Sequence, residues 1–505
     1  MSSILTNTSA MVALQTLKSI NSNLSGIQNE ISTGKSISSA KDNSAIWAIS
    51  KVMESDVSGF KAISSSLSLG ESTVAVARQA SETVTDLLTE MKGKIVASQE
   101  ENVDRGKIQS DISALRDQIA SVVGAAQFNG LNLVKGTADV NILSSLDRSS
   151  DGTVAASNIT VARQDLSTDQ GTFGTGTSLA ANSTASAAAV SNTANTSVVT
   201  LGNAWAANDV ANISVAGVDL AYTLGVGEDE THAGAALSGL INGLGLDGIT
   251  ATDDGAGGIT ISSTRAFEDV AITTGETTAG TGDVLITALN GTAGLTDTSG
   301  AIDERAENVA FSTSAAVNEG DSYKVTVGTS SYDYIAGKGE TMEDVAKGLK
   351  IAIDSAGVSD ITTKVVKDAT SGEWSLKVDN SGSSLGFSET GNAGGIASGG
   401  LRGLEAIDVT SGAGATSALE NIETMISNSI SASAAFGSVQ GRIETQNDFI
   451  GKLTDSLKAG IGSMVDADME AASARLQALQ VQQQLGVQAL SIANQAPQSV
   501  LSLFR

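Results

Sequence analysis

Near both ends of the chain, apolar residues recur at alternating spacings of three and four. Ala10, Ala13, Leu17, Ile20, Leu24, Ile27 and Ile31 lie on one seam of a helix able to supercoil. A second run, Ile46, Ile49, Met53, Phe60, Ile63, Leu67, Val74, Ala77, Val84, Leu88, Met91 and Ile95, keeps that register with interruptions at Asp56, Gly70 and Ser81. It predicts a helix of about fourteen turns. Ile108, Ile112, Leu115, Ile119 and Val122 predict a shorter third helix. Toward the C-terminus, Phe436, Ile443, Ile450, Leu457, Met464, Ala471, Ala478, Leu485 and Ile492 stand seven apart and are all apolar. The alanines predict a narrow seam where two backbones approach.

Between the ends the period changes to two. "NISVAGVDLAYTL", "GITATDDGAGGITISS" and "YKVTVGTSSYDYIAG" alternate apolar and polar residues around Gly, Asp and Ser turns, as half-buried strands do. Short helical patterns sit between the strand pairs, with Ala236, Leu240 and Leu244 in one and Val345, Leu349 and Ile353 in the other. Residues 210–263 and 322–380 therefore read as two copies of one β-β-α-β-β unit. The low-complexity stretch at about 175–200 reads as a linker or loosely ordered entry to this region. The expected fold is α+β and multidomain: long N- and C-terminal helices pair as a coiled-coil-like stem, and a β-rich middle is looped out.

Composition sharpens this picture. Pro497 is the only proline in 505 residues, where average usage would give roughly 25. A proline inside these helices would cost about 3 kcal/mol, and Pro497 lies where the heptad pattern ends. Aromatics make up 3% of the chain, so any core is aliphatic and a pocketed enzyme is disfavoured. Net charge is −27, and residues 137–410 hold 35 acidic and 12 basic side chains, a net of −23. That balance repels nucleic acid and anionic membrane, and no Lys/Arg cluster interleaved with aromatics offsets it.

Candidate chemistry is sparse. There is no cysteine, which removes disulfides and thiolate sites. The single histidine, His232, excludes any two-histidine metal site and HExxH helix, and beside "EDE" it reads as part of a solvated turn or helix start. No GxSxG elbow, P-loop or dinucleotide fingerprint occurs, and Glu228, Asp229, Glu230, Asp253 and Asp254 lack calcium-loop spacing. We expect no catalytic residues, no cofactor and no metal. The N-terminus lacks a basic region followed by an apolar run, and no stretch of 18 apolar residues occurs, so neither a secretory signal nor a membrane insertion is expected.

"MSSILTNTSAMVALQTLKSINSNL", "ISTGKSISSAKDNSAIWAIS", "AAQFNGLNLV" and above all "LGVQALSIANQAPQSVLSLFR" resemble the terminal regions of bacterial flagellins, most nearly alphaproteobacterial ones. The resemblance spans roughly residues 1–170 and 405–505. It implies an inner helical domain from 1–32 and 467–505, spokes at 33–45 and 460–466, and a second helical domain with a β-hairpin from 46–172 and 405–459. Residues 173–404 would form the variable outer region. It implies export without a cleaved signal, through a flagellar type III apparatus served by an export chaperone, and assembly at the filament tip beside cap and hook-junction proteins. A hook-filament junction protein is the alternative within the same system, and a secreted adhesin a more distant one.

A lone stem leaves apolar stripes uncovered, and neighbouring copies of the chain would cover them. The polymerisation interface is accordingly expected at Leu17, Ile20, Leu24, Ile27, Ile31, Leu485, Ile492, Val500, Leu501, Leu503 and Phe504, with the terminal helices ordering on assembly. Flagellins detected by the innate immune receptor carry a key arginine on a second-domain helix. Alignment places Thr89 there, which implies escape from detection.

Overall fold

The computed structural model describes residues 7–149, 153–277 and 281–502. The chain opens with helices α1 (Thr8–Thr33), α2 (Ser44–Ala97) and α3 (Arg105–Ala125). Short strands β1 (Gln127–Phe128) and β2 (Leu131–Asn132) pair with each other, as do β3 (Val140–Arg148) and β4 (Val154–Val161). The latter two are the hairpin expected from the sequence. Two long helices close the chain. They are preceded by a β-rich stretch that also holds helices α4 (Glu230–Gly243) and α5 (Met342–Asp354), and they are α6 (Gly412–Val465) and α7 (Met469–Ser502). The residues fall into two compact units, Met1–Val74 with Asn141–Val161 and Ser438–Arg505, and Ala75–Val140 with Ala162–Gly437.

In the first unit the seam of α2 is buried at Ile63, Leu67 and Val74, and that of α6 at Ile443 and Ile450. Ser64 donates to Asn447 Oδ1 at 2.8 Å, and Gln446 Nε2 donates to the Ser144 carbonyl at 2.9 Å. Gly70, an interruption in the apolar pattern, is where Ile142 of the hairpin lies on the helix. A Cβ there would stand 2.4 Å from Ile142 Cδ1. At the other end of the run, Ile49 is 53% exposed and does not join the seam; the buried positions of this stretch are Ser50 and, two turns on, Val57.

In the second unit Val84, Leu88, Met91 and Ile95 of α2, Ile112, Leu115 and Ile119 of α3, and Ile422, Met425 and Phe436 of α6 are buried. On α3 the buried valine is Val123, and Val122 is only half-buried. Ser81, another interruption in the pattern, is fully buried and hydrogen bonded, since Ser429 Oγ donates to its carbonyl at 3.0 Å. Lys94 and Asp111 tie α2 to α3 at 2.7 Å, and Gln109 holds the chain ahead of α6 by pairing with Ile407 O and Val409 N, both at 2.9 Å.

The β-rich part of this unit contains two sandwich modules. Strands β5 (Ser183–Ala185) and β6 (Ala189–Val190) come first, followed by β7 (Asn195–Gly202), β8 (Val210–Val215) and β9 (Val218–Thr223). After α4 come β10 (Ile249–Asp253), β11 (Gly258–Ser263), β12 (Val270–Thr277), β13 (Asp283–Leu289), β14 (Thr292–Asp297) and β15 (Ser299–Ile302). Then follow β16 (Glu307–Phe311), β17 (Ser322–Val327), β18 (Ser330–Ile335), α5, β19 (Ile361–Lys367), β20 (Trp374–Asn380) and β21 (Leu385–Asn392).

Module 1 pairs a sheet of order β10-β11-β7-β13-β14 with one of order β15-β12-β8-β9. Module 2 pairs β19-β20-β16-β5 with β18-β17-β21-β6. Each expected β-β-α-β-β unit is present, and each is extended by a strand before it (β7, β16) and one after it (β12, β21). The starts of β8, β9, α4 and β10 (210, 218, 230, 249) and of β17, β18, α5 and β19 (322, 330, 342, 361) are separated by one fixed offset throughout. The stretch near 175–200 is not a loose linker, because it supplies β5 and β6 to module 2 and the central β7 to module 1. Module 1 is thus inserted between strands of module 2. Its entry and exit are adjacent, since Asn195 Nδ2 donates to the carbonyls of Asp303 and Glu304 at 3.1 and 2.8 Å.

The α5 seam Val345, Leu349 and Ile353 is buried as the sequence predicts. The α4 seam is not Ala236, Leu240 and Leu244: the buried positions are Ala233, Leu237 and Ile241, and Leu240 is 41% exposed. Both apolar stripes satisfy helical spacing, and the sandwich interior selects the one that the fixed offset maps, residue by residue, onto the α5 seam.

Candidate functional site

Helices α1 and α7 pair with each other, and two short links follow the one and precede the other. The Asn7 side chain caps α1 by accepting from the Ala10 amide at 3.0 Å, and Gly34, at φ 70°, ends it in the left-handed region that glycine tolerates. The two links then bond each other. Ser36 N–H donates to Val465 O at 2.8 Å and Ala467 N–H donates to Gly34 O at 3.0 Å. Within the first link, Asp42 accepts from the amides of Ser38 and Ser39 at 3.0 and 2.9 Å and from both hydroxyls. These donors, led by the Ser39 and Ser38 amides, hold its carboxyl below the usual range. Asn43 caps α2 through the amides of Ala45 and Ile46, and Asp468 caps α7 through those of Glu470 and Ala471.

On α1, all seven seam residues from Ala10 to Ile31, including Leu17, Ile20, Leu24, Ile27 and Ile31, are half-buried, and the helix has no fully buried residue. Their partner is α7, whose matching face is Ala472, Leu476, Leu479, Gln483, Gly486, Leu490 and Ala493. At Gly486 a Cβ would stand 3.2 Å from Leu17 and 3.7 Å from Ile20, so the backbones come close there. Gln483 Nε2 donates to Asn21 Oδ1 at 2.7 Å, and Asn7 Nδ2 to Ala493 O at 2.9 Å.

The C-terminal heptad series therefore divides in two. Phe436, Ile443 and Ile450 are buried and Leu457 and Met464 half-buried, whereas Ala471, Ala478, Leu485 and Ile492 face outward. The slip of one residue arises within α6, where a strict count of seven drifts off the buried face of a helix with about 3.6 residues per turn. The buried position at the end of α6 is Val465, and Val465, Ala472, Leu479, Gly486 and Ala493 then run seven apart across the break at 466–468. Leu485 and Ile492 are 58% and 69% exposed, and Val481 and Val487 accompany them. On α1, Met11, Val12 and Leu14 are exposed as well. The pair thus carries apolar side chains on faces that the chain itself leaves open.

The α7 backbone continues through Pro497, Val500 and Leu501 to Ser502, beyond the end set by the heptad pattern. Here the helix tolerates the loss of one backbone donor. Leu503 and Phe504 lie outside the described residues. Thr89 is exposed on α2, with its hydroxyl donating to the Thr85 carbonyl at 2.8 Å. His232 sits in the first turn of α4, 2.7 Å from the capping Asp229, which raises the imidazole pKa. Among the described residues no group of three His, Cys, Asp or Glu is placed to hold a metal ion, and no helix is long and apolar enough to cross a membrane.

Two family models match this chain: the bacterial flagellin N-terminal helical region over residues 4–139 and the bacterial flagellin C-terminal helical region over residues 419–504. Flagellin A and Flagellin B of Rhizobium meliloti are each 30% identical to it over 513 residues, covering the whole of both chains in each comparison. Among solved structures, a flagellar hook associated protein-3 from Legionella pneumophila aligns with 82% of this chain and 98% of its own, at 8% identity and a TM-score of 0.34.

Proposed function

The chain belongs to the bacterial flagellin family, and from that premise we propose how this filament subunit assembles. It is a structural subunit of the flagellar filament, which in this family is extracellular and serves motility. The open apolar faces of α1 and α7 carry the reading. Leu485, Ile492, Val500, Leu501, Leu503 and Phe504 meet neighbouring copies, while Leu17, Ile20, Leu24, Ile27 and Ile31 hold α1 to α7 within the interface. Covering one such side chain contributes about 1.5–3 kcal/mol, so a few per subunit suffice to drive polymerisation.

Residues 1–32 with 467–505 form the inner layer, 33–45 with 460–466 the spokes, 46–172 with 405–459 the second layer and 173–404 the outer region. Half-burial along the whole of α1 leaves the isolated pair weakly held, so the terminal helices become ordered on assembly. The subunit is exported by the flagellar type III apparatus with its chaperone and joins a filament bounded by cap and hook-junction proteins.

Seeded polymerisation tests this, followed by light scattering and electron microscopy. Long tubes are expected from the full chain and none from a chain lacking residues 487–505. A full chain that stays monomeric in the presence of seeds overturns the proposal and favours a junction protein. Hydrogen exchange of residues 10–31 adds a second check, with weak protection expected in the monomer and strong protection in the filament.

A further inference from the structure

The fixed offset between the modules makes their differences readable residue by residue. Lys350 and Asp354 on α5 and Thr363 on β19 stand where module 1 has Ser238, Asn242 and Ala251. In module 1, Asn242 Nδ2 donates to the Ala251 carbonyl at 2.7 Å and Asn242 Oδ1 accepts from the Ala251 amide at 2.9 Å, which ties α4 to β10. Ser238 Oγ donates to the Ala235 carbonyl at 3.0 Å, within the same helix. All of these bonds stay inside the module.

Module 2 keeps the tie between helix and strand, since Thr363 Oγ1 donates to Asp354 Oδ1 at 2.5 Å. To this it adds a buried charge. Lys350 is 4% exposed, and its Nζ reaches Asp354 Oδ2 at 2.7 Å, Asn421 Oδ1 at 3.1 Å and Glu420 Oε2 at 3.1 Å. Asn421 Nδ2 in turn donates to Asp354 Oδ2 at 3.1 Å. The three ammonium hydrogens of Lys350 are thereby matched to three acceptors, two of which belong to α6. Ile351, which shares a small cleft with Thr424 and Asn428 of α6, is buried, whereas its counterpart Gly239 is exposed. Asp333, held by Arg402 at 3.2 Å ahead of α6, likewise stands where module 1 has Ala221.

We infer that the Lys350 cluster is a seating pin, which admits one orientation of module 2 on α6 and excludes the others. Aliphatic packing of a sandwich on a helix tolerates sliding, because one such contact resembles the next. A buried ammonium and carboxylate do not tolerate it. Any slip along α6 carries Asn421 and Glu420 away from Lys350 and leaves charge buried without its partners. The pair adds little net stability, because withdrawing both charges from water offsets most of their attraction. Its effect is therefore on the choice of seating and not on the folding of the module. Module 1 closes its own core with Ser238 and Asn242 at the same places, without these charges. Module 2 and α6 thus turn as one body, and a load on the sandwich is passed to the helix.

Exchanging the three residues for their module 1 counterparts tests the pin. The chain has no cysteine, so Thr329→Cys in an exposed turn of module 2 and Ser427→Cys on the exposed side of α6 give two unique sites for nitroxide labels. Pulsed dipolar spectroscopy on the full-length chain reads the distances between them. One narrow distribution is expected from the labelled chain. Lys350→Ser, Asp354→Asn and Thr363→Ala together should split or broaden it. Hydrogen exchange of β20 should stay as slow as before, since the module itself remains folded.

A distribution that stays narrow in the triple variant overturns the inference, as does one already broad in the labelled chain. Should the triple variant lose the protection of β20, Asn421→Ala decides, because it leaves the cluster residues of module 2 unaltered. It takes one acceptor from Lys350 and one donor from Asp354, so the distribution should again broaden with β20 still protected. An unmoved distribution there overturns the assignment. Loss of β20 protection in that variant as well overturns it too, because the cluster would then hold the fold and not the seating.

Discussion

At Gly70 one hydrogen atom decides whether the hairpin can lie on α2. Its missing side chain leaves the space that Ile142 fills, so Gly70→Val should destabilise the chain by about 1–3 kcal/mol. Denaturant unfolding reads this, and Ile142→Ala in the same chain should recover part of the loss. Arg305 and Asp379 form a buried, two-pronged pair at 2.7 Å. Arg305→Ala should cost about 3–5 kcal/mol, because the remaining carboxylate stays buried without its partner. At the exposed Thr89 on α2, Thr89→Arg should confer activity in a receptor reporter assay, and a silent variant would void the assignment of that position. Asp42 accepts from the amides and hydroxyls of Ser38 and Ser39. Its folded pKa is lowered, so its contribution is present above the ordinary carboxylate range and is lost as pH falls. At this scale the sequence was partly legible: Gly70 and Ser81 were visible as interruptions, but what filled or bonded them was not.

Helices and strands were easier to read than the faces they bury. The α1 seam was legible in full because it lies within one unbroken helix. The C-terminal series was misread past Met464 because a strict count of seven drifts off the buried face of a helix with about 3.6 residues per turn, so that by Val465 the buried position stands one residue later. On α4, two stripes fitted helical spacing equally. Setting the two modules in register at their fixed offset would have chosen Ala233, Leu237 and Ile241. The outward stripe on α7 gives a prediction that separates assembly from folding. Leu485→Asp or Ile492→Asp should leave the denaturation of the monomer nearly unchanged and raise the concentration needed for polymerisation at least about tenfold. Leu17→Asp should instead weaken the α1–α7 pair itself, read as loss of helical signal in assembled filaments.

For the whole molecule, alternation and turn residues carried the β-rich middle and its repeat. They did not carry the insertion of one module into the other. β5 and β6 are only three and two residues long, too short for a pattern to register, and they join β16 and β21, which lie far along the chain beyond the whole of module 1. The adjacency of Asn195 to Asp303 and Glu304 predicts that residues 195–303 can be replaced by a short turn. Such a chain should keep module 2 folded and still extend filament seeds, as judged by protease resistance and electron microscopy.

The constant spacing of the two modules also bears on inheritance. A recombination event that joins Glu228 directly to Thr341 removes residues 229–340 in frame and leaves β7, β8 and β9 followed by α5, β19, β20 and β21. That hybrid has every strand position of a single sandwich filled once, and each of its turns already works in one parent. Unequal crossing-over between the copies thus yields a shorter chain in one step, and the reverse exchange a longer one. The β-rich middle can change size by whole modules while the terminal helices are inherited intact.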